Sequence, residues 1–128
     1  MDILVTAKRT IDYTVQIQVK QDQSGVVTDQ VKMSMNPFDA IALEAAIVLK
    51  EQGVADKVTL LTIGGPVSQD ILRQGLAMGA DQAVLIESDC DLYPLEVAHC
   101  LKGYLASNPA DLVLMGKQAI DNDCNQTG

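Results

Sequence analysis

Four short apolar runs, separated by stretches with helical spacing, constrain the fold of this chain more than any other feature of its sequence. The runs span residues 3–7, 58–63, 83–86 and 112–115, and each is typical of a buried strand. Gly64-Gly65-Pro66 ends the second run and Gly116 ends the fourth, as expected where strands stop. Strands that alternate with helices are joined by right-handed crossovers and lie parallel. The pattern therefore predicts a three-layer α/β/α domain with a parallel sheet at its centre.

Three helices are predicted between these runs. Asn36 is a favourable N-cap and Pro37 suits the first helical position, so we expect the first helix to begin there and to end near Gly53. Ser68 is a candidate cap for the second helix, which ends at Gly79, and Pro94 begins the third. The apolar residues that recur at helical spacing are Ile41, Ala45 and Val48 in the first helix, Ile71, Leu72, Leu76 and Met78 in the second, and Leu95, Ala98, Leu101 and Leu105 in the third.

A small exposed hairpin is predicted after the first strand. Residues 15–19 alternate apolar and polar side chains with the period of a strand. Gln23-Ser24-Gly25 provides a turn, and Val26-Val27 provides the returning strand.

Length and charge narrow the class of protein. The chain has 128 residues, which suits one domain over residues 1–128. Its 17 acidic residues outnumber 9 basic ones, and the net charge of −8 argues against a nucleic-acid partner. No basic leader and no long apolar stretch is present, so neither secretion nor membrane insertion is expected. The three cysteines show no spacing typical of zinc sites, which is consistent with a reducing compartment, and we expect a cytoplasmic, bacterial protein.

The segment from Gly116 to Gly128 is the least ordinary part of the sequence. It follows a buried strand, yet it is dense in amides, acids and a hydroxyl. Ligands of parallel sheets bind beyond the carboxyl ends of the strands, where this segment must lie. Residues 125–127 are suited to open a helix whose free N–H groups would hold a phosphate, and a plain polar loop is the alternative.

Other kinds of site have less support. Gly64-Gly65-Pro66-Val67-Ser68 lacks the Ser and Asp of an ATP-pyrophosphatase loop, and no G-x-G-x-x-G follows the first strand. The only histidine, His99, lies inside the third helix and is expected at the surface. The pairs Asp89/Asp91 and Asp121/Asp123 are more typical of solvated loops than of a metal site.

Several blocks of residues resemble the beta subunit of electron-transferring flavoprotein. They occur in the family's order: Lys8-Arg9-x-x-Asp12-Tyr13, Met35-Asn36-Pro37-Phe38, Ala77-Met78-Gly79-Ala80-Asp81, Gly116-Lys117-Gln118-Ala119-Ile120-Asp121 and Cys124-Asn125-Gln126-Thr127-Gly128. The resemblance implies an adenine nucleotide alpha hydrolase-like (Rossmann-like) fold, with strand order 3-2-1-4 in the part present. It also implies a structural AMP in this subunit and a heterodimer with an alpha subunit that holds most of the FAD.

The resemblance further implies an electron carrier rather than an enzyme. Electrons would pass from acyl-CoA or other dehydrogenases to an acceptor such as the electron-transferring flavoprotein–quinone oxidoreductase. Tyr13 and Phe38 match positions near the partner's flavin. Carried over residue by residue, the cofactor site is Thr6, Tyr13, Asn36, Pro37, Phe38, Asp39, Ile63, Asp121, Asn122, Asp123, Cys124, Asn125, Gln126, Thr127 and Gly128.

Two departures from the family pattern accompany this resemblance. Ile63-Gly64-Gly65 stands where relatives often carry Ser-Cys-Gly, and family members are much longer, so we expect a domain truncated at its C-terminal end, before the helix that Thr127-Gly128 should begin. The alternative is a nucleotide-binding regulatory module of the universal-stress type, which shares the fold. That class requires a second glycine three residues after Gly116, where this chain has Ala119.

Overall fold

A four-stranded parallel sheet forms the centre of the computed structural model, which describes residues 1–128. The sheet order is β5-β4-β1-β6, which is the predicted order 3-2-1-4 and places the N-terminal strand in the interior. In chain order the elements are β1 (Asp2–Thr6), β2 (Arg9–Ile11), β3 (Met33–Met35), α1 (Pro37–Glu51), β4 (Lys57–Gly64), a 3₁₀ turn (Pro66–Ser68), α2 (Gln69–Met78), β5 (Gln82–Glu87), α3 (Pro94–Ser107) and β6 (Leu112–Leu114).

Side chains alternate across the sheet and create two apolar layers. On one face, Ile3, Val5 and Leu60 pack against α1 and α2, whose buried residues include Leu43 and Ile71. On the other face, a smaller cluster joins Leu4 and Leu61 to Leu101 of α3. β1 lies between β4 and β6, and its side chains are covered on both faces because α1 and α2 pack on one face of the sheet and α3 on the other. The predicted three-layer architecture is confirmed.

The face of α1 that packs on the sheet differs from the predicted one. Ile41, Ala45 and Val48 recur at helical spacing, but all three are exposed. The buried stripe of α1 is instead Ala42, Leu43, Ala46 and Ile47, next to it around the helix. Helix α1 is apolar on both stripes, so spacing alone does not identify the inner one. The exposed stripe lines a shallow groove beside Leu114 of the edge strand β6.

Other details of the helices also depart from expectation. Ser68 precedes α2, but its side chain makes no capping hydrogen bond, because the residue ends a 3₁₀ turn and already has helical backbone angles. Leu76 of α2 and Leu95 of α3 are exposed. His99 is exposed, as predicted.

Residues 12–32, the excursion between β2 and β3, do not form the predicted hairpin. Its only ladder position is a bridge between Val19 and Val26, so residues 15–19 and 26–27 form no strands. The antiparallel pairing lies at the base of the excursion, between β2 and β3. Residues 15–27 lack a buried face against which a two-stranded ribbon could pack, and such ribbons are marginal in water.

The block Ala77–Asp81 has a structural explanation. Gly79 ends α2 with φ of 131°, a region that favours glycine. Asp81 then accepts a hydrogen bond from the amide of Val58 at 2.9 Å and pairs with the ammonium of Lys50 at the end of α1. These contacts join α1, α2 and β4 at the amino edge of the sheet, away from the expected site.

Candidate functional site

The candidate site lies where the sheet changes the direction of its winding. From β1 the chain adds β4 and then β5 on one side of β1, and it then crosses back to add β6 on the other side. The switch point therefore lies between β1 and β6. Crevices at such switch points, beyond the carboxyl ends of the strands, are where ligands of open α/β sheets bind. The first turn of α1 and the segment 116–128 meet there.

Asn36 connects the beginning of α1 to the segment after β6. Its side-chain amide donates to the carbonyl oxygen of Gln118 at 2.8 Å, and its side-chain oxygen accepts from the amide of Ile120 at 3.1 Å. The residue is the N-cap of α1 but makes no side-chain capping bond, which corrects the role predicted for it. Asn36 is buried, with 1% of its surface exposed. Its hydrogen-bonding groups are directed to the segment, so they are unavailable to the helix.

Asp39 connects the ends of β1 and β6. One carboxylate oxygen accepts from the amide of Lys8 at 2.8 Å, and the other accepts from the amide of Gly116 at 3.2 Å. Burial raises the pKa of Asp39, while the hydrogen bonds from the amides of Lys8 and Gly116 oppose that shift. A Cβ on Gly116 would lie 2.7 Å from the backbone nitrogen of Asp39 and 2.7 Å from the carbonyl carbon of Phe38. The segment therefore leaves β6 in direct contact with the first turn of α1.

The segment beyond Gly116 is irregular throughout. Residues 125–127 lie in this irregular segment, in line with the polar loop that was the alternative to a helix. Asp123 and Asn125 have φ of 55° and 51°, and Asp123 also bonds through its amide to the carbonyl of Ala119 at 2.9 Å. The four amides from Asn125 to Gly128 donate no hydrogen bond within the chain. Amides left free in a run with left-handed residues are typical donors to anions.

Basic residues gather at this edge despite the acidic composition. Lys8, Arg9 and Lys117 are three of the 9 basic residues in the chain. Lys8 pairs with Asp121 at 2.8 Å, Arg9 pairs with Asp70 at 2.9 Å, and the ammonium of Lys117 lies 5.8 Å from the ring centre of Phe38. Of these three side chains only that of Lys117 has no carboxylate partner.

Two aromatic rings beside this edge are accessible to solvent, one largely and one in part. Tyr13 is 75% exposed and Phe38 is half-buried, so neither ring belongs to the apolar core. Asp12 forms the turn that precedes Tyr13, because one of its carboxylate oxygens accepts from both the amide and the hydroxyl of Thr14, at 2.9 and 2.5 Å. These bonds lower the pKa of Asp12 to about 2. The turn leaves the Tyr13 ring in solvent.

The residues predicted for the site fall into three groups. Asn36, Phe38 and Asp39 contact residues 116–120 or Lys117 directly, and Asp121 reaches the same edge through Lys8. Thr6 and Ile63 end neighbouring strands, and Ile63 packs on the α3 side of the sheet, opposite α1. No hydrogen bond joins Tyr13 to the rest of the site. The predicted site residues without a hydrogen bond to α1 or its N-cap include Thr6, Tyr13, Ile63, Asn122, Asp123, Cys124, Asn125, Gln126, Thr127 and Gly128.

Lys8, Gly116 and Gln118 belong to the edge although they were not predicted as site residues. They act through backbone groups that accept from or donate to Asn36 and Asp39. Residue type carries little information about such backbone contacts. The one local signal for these contacts was a glycine, Gly116, soon after a predicted strand.

Comparisons with known proteins agree with the resemblance seen in the sequence. The protein-family model of the electron transfer flavoprotein domain matches residues 24–128. The chain is 51% identical over 128 residues to the mitochondrial electron transfer flavoprotein subunit beta of Arabidopsis thaliana, covering 100% of this chain and 51% of that protein. It is 48% identical over 128 residues to the subunit beta of Bradyrhizobium diazoefficiens, again covering 100% and 51%. For the subunit beta of Homo sapiens the identity is 49% over 130 residues, covering 98% and 51%.

The chain thus spans about half the length of the curated relatives that it matches. The relatives include mitochondrial and bacterial proteins, so the compartment stays a prediction. None of the helices combines the length and apolarity that a membrane crossing requires.

Proposed function

We propose, from the premise that this chain belongs to the electron transfer flavoprotein family, that it forms the AMP-holding part of a beta subunit. The observation that carries this proposal is that residues 116–120 are held against the first turn of α1 at the switch point of the sheet, and lead to residues 125–128, whose amides donate no hydrogen bond within the chain. A phosphate accepts hydrogen bonds from such amides, and a nearby cation strengthens its binding. Lys117, whose side chain has no carboxylate partner, is the available cation.

Other residues of the edge fit the remainder of a nucleotide. Thr6 and Ile63 end adjacent strands on the side opposite α1 and would contact the ribose or base. Residues 121–124 follow the anchored part of the segment and would enclose the ligand from the open side. Pro37 has no N–H group, so the first turn of α1 offers fewer donors to an anion than the segment does. AMP binding through residues 125–128 is therefore the form of the site that we propose.

The second part of the proposal concerns the partner. We expect a heterodimer with an alpha subunit that holds most of the FAD, and the flavin, when bound, accepts and releases the electrons. Tyr13 and Phe38 supply the contact from this chain, because both rings are accessible at the carboxyl edge. The heterodimer would carry electrons from acyl-CoA or other dehydrogenases to a quinone oxidoreductase or a similar acceptor. This chain then acts as an electron-carrier subunit and contributes no bond-making step.

Calorimetric titration tests the nucleotide site. We expect AMP to bind more tightly than adenosine, because the free amides and Lys117 recognise the phosphate. Replacement Lys117→Gln should weaken AMP binding severalfold, whereas Lys102→Gln, an exposed position on α3, should leave it unchanged. No detectable AMP binding at about 1 mM, equivalent to roughly −4 kcal/mol, would contradict the proposal.

A further inference from the structure

The side chains of Asn36 and Asp39 are fully engaged with the chain's own backbone. They accept from or donate to groups of Lys8, Gly116, Gln118 and Ile120, at distances between 2.8 and 3.2 Å. Both side chains are buried, with 1% and 7% of the residue surface exposed. Each polar atom of the two side chains therefore already has a hydrogen-bond partner in the chain's own backbone.

The pairing is specific in its chemistry. The side chain of Asn36 pairs with the backbone of Gln118 and Ile120 through one donor and one acceptor. A neighbouring β-strand would pair with these two residues in the same way. Asp39 offers two acceptors to two amides that come from different strand ends. The lack of space for any side chain at Gly116 independently indicates that the segment rests against α1. These contacts hold residues 116–120, which precede the free amides, in one position.

We infer that Asn36 and Asp39 are positioning residues, whose side chains hold residues 116–120 in place for nucleotide binding and do not themselves contact the nucleotide. The inference rests on the proposed function and deepens it. Under this inference the amides from Asn125 to Gly128 recognise the phosphate, and the side chains of Asn36 and Asp39 fix the position of the segment that carries those amides.

The test combines hydrogen exchange with AMP titration in the 128-residue chain. Replacement Asp39→Asn is isosteric but turns an acceptor into a donor that faces the amide of Lys8 or Gly116. We expect exchange of the Gly116 amide in the ligand-free protein to accelerate roughly 10- to 100-fold, as for loss of a charge-assisted hydrogen bond. Exchange at Ile120, which Asp39 does not touch, should also accelerate, and AMP should bind at least about tenfold more weakly per folded molecule.

Two control variants separate positioning from general effects. Asp70→Asn removes a carboxylate from the first turn of α2, where it is exposed and pairs with Arg9, and should change neither measurement. Ile47→Val removes a buried methylene from α1 far from its first turn, and controls for lost stability. Asn36→Asp, which keeps the acceptor for Ile120 and loses the donor to Gln118, is the second variant if Asp39→Asn does not fold.

The outcomes are distinguishable. Unchanged exchange at Gly116 and Ile120 with weakened AMP binding would overturn the inference, because it would indicate direct contact with the ligand. Faster exchange with unchanged AMP affinity would also overturn it, since the contacts would then be purely structural. If the unmodified chain binds no AMP, the proposed function fails, and the exchange data still decide whether Asn36 and Asp39 hold the segment.

Discussion

Replacement of Gly116 by Ala is expected to destabilise the folded chain by about 3 kcal/mol. The added methyl would overlap one carboxylate oxygen of Asp39 and lie 2.7 Å from two backbone atoms of α1, which cannot move without displacing the helix. Overpacking of this kind costs roughly 1–3 kcal/mol. Movement of the segment would also lengthen the hydrogen bond from Gly116 to the buried carboxylate, which is worth about 1.5–3 kcal/mol. Movement of the segment reduces the overpacking while it weakens the hydrogen bond, so the expected loss is smaller than the sum of the two costs.

Equilibrium unfolding in urea measures this effect. With a slope of about 2 kcal/mol per M, the midpoint should fall by about 1.5 M. The matched control is Gly103→Ala in the interior of α3, where an added Cβ meets nothing within 4 Å. That variant should gain about 0.5–1 kcal/mol, because alanine has the higher helix propensity. If Gly116→Ala unfolded within about 0.5 kcal/mol of the unmodified chain, the close approach of the segment to α1 would be refuted.

Two further predictions concern the excursion and the exposed rings. Replacement of both Tyr13 and Phe38 by Ala should cost less stability than the roughly 3–5 kcal/mol of a buried Phe, and should shift the flavin absorbance or reduction potential of a reassembled heterodimer. A large loss of stability on urea unfolding would show that the rings stabilise the core, and an unchanged flavin would refute their contact with it. The pKa of Asp12 is lowered to about 2 from 3.8, so its carboxylate stabilises the fold above about pH 4, and this contribution is lost as the pH falls towards 2. The difference in unfolding free energy between the unmodified chain and Asp12→Asn should therefore shrink between pH 4 and 2, and a constant difference would contradict the role of the turn.

The limits of the strands and helices followed from local signals, whereas the strand order 3-2-1-4 was implied by the family resemblance. Gly64 ends β4 at a turn, Gly79 ends α2 with a positive φ, and Gly116 follows β6 where the chain passes close to α1. Glycine is favoured at each of these positions, so these boundaries could be predicted closely. The inner face of α1 could not, since the stripe with Ile41 and Val48 is as apolar as the buried one. Which stripe faces the sheet depends on packing with α2 and β1, and that information is not local.

The site was predictable by location and less so by role. The carboxyl edge and the segment from Gly116 to Gly128 were expected from the strand pattern and the resemblance. Asn36 was expected to cap α1, because its residue type and position are typical of a cap, but a partner 82 residues away in sequence takes its side chain. Such competition between a local and a distant hydrogen-bond partner is decided by tertiary structure.

The interior position of β1 has a consequence for synthesis. Residues 2–6 are translated early, yet they pair with residues 57–61 on one side and with 112–114 on the other. On the ribosome, one edge of β1 therefore stays without its partner until nearly the whole of this stretch has emerged. An unpaired edge in a nascent sheet is a template for pairing with other chains. Pauses in translation before Leu112 should accordingly raise the demand of this domain for chaperones more than pauses after it.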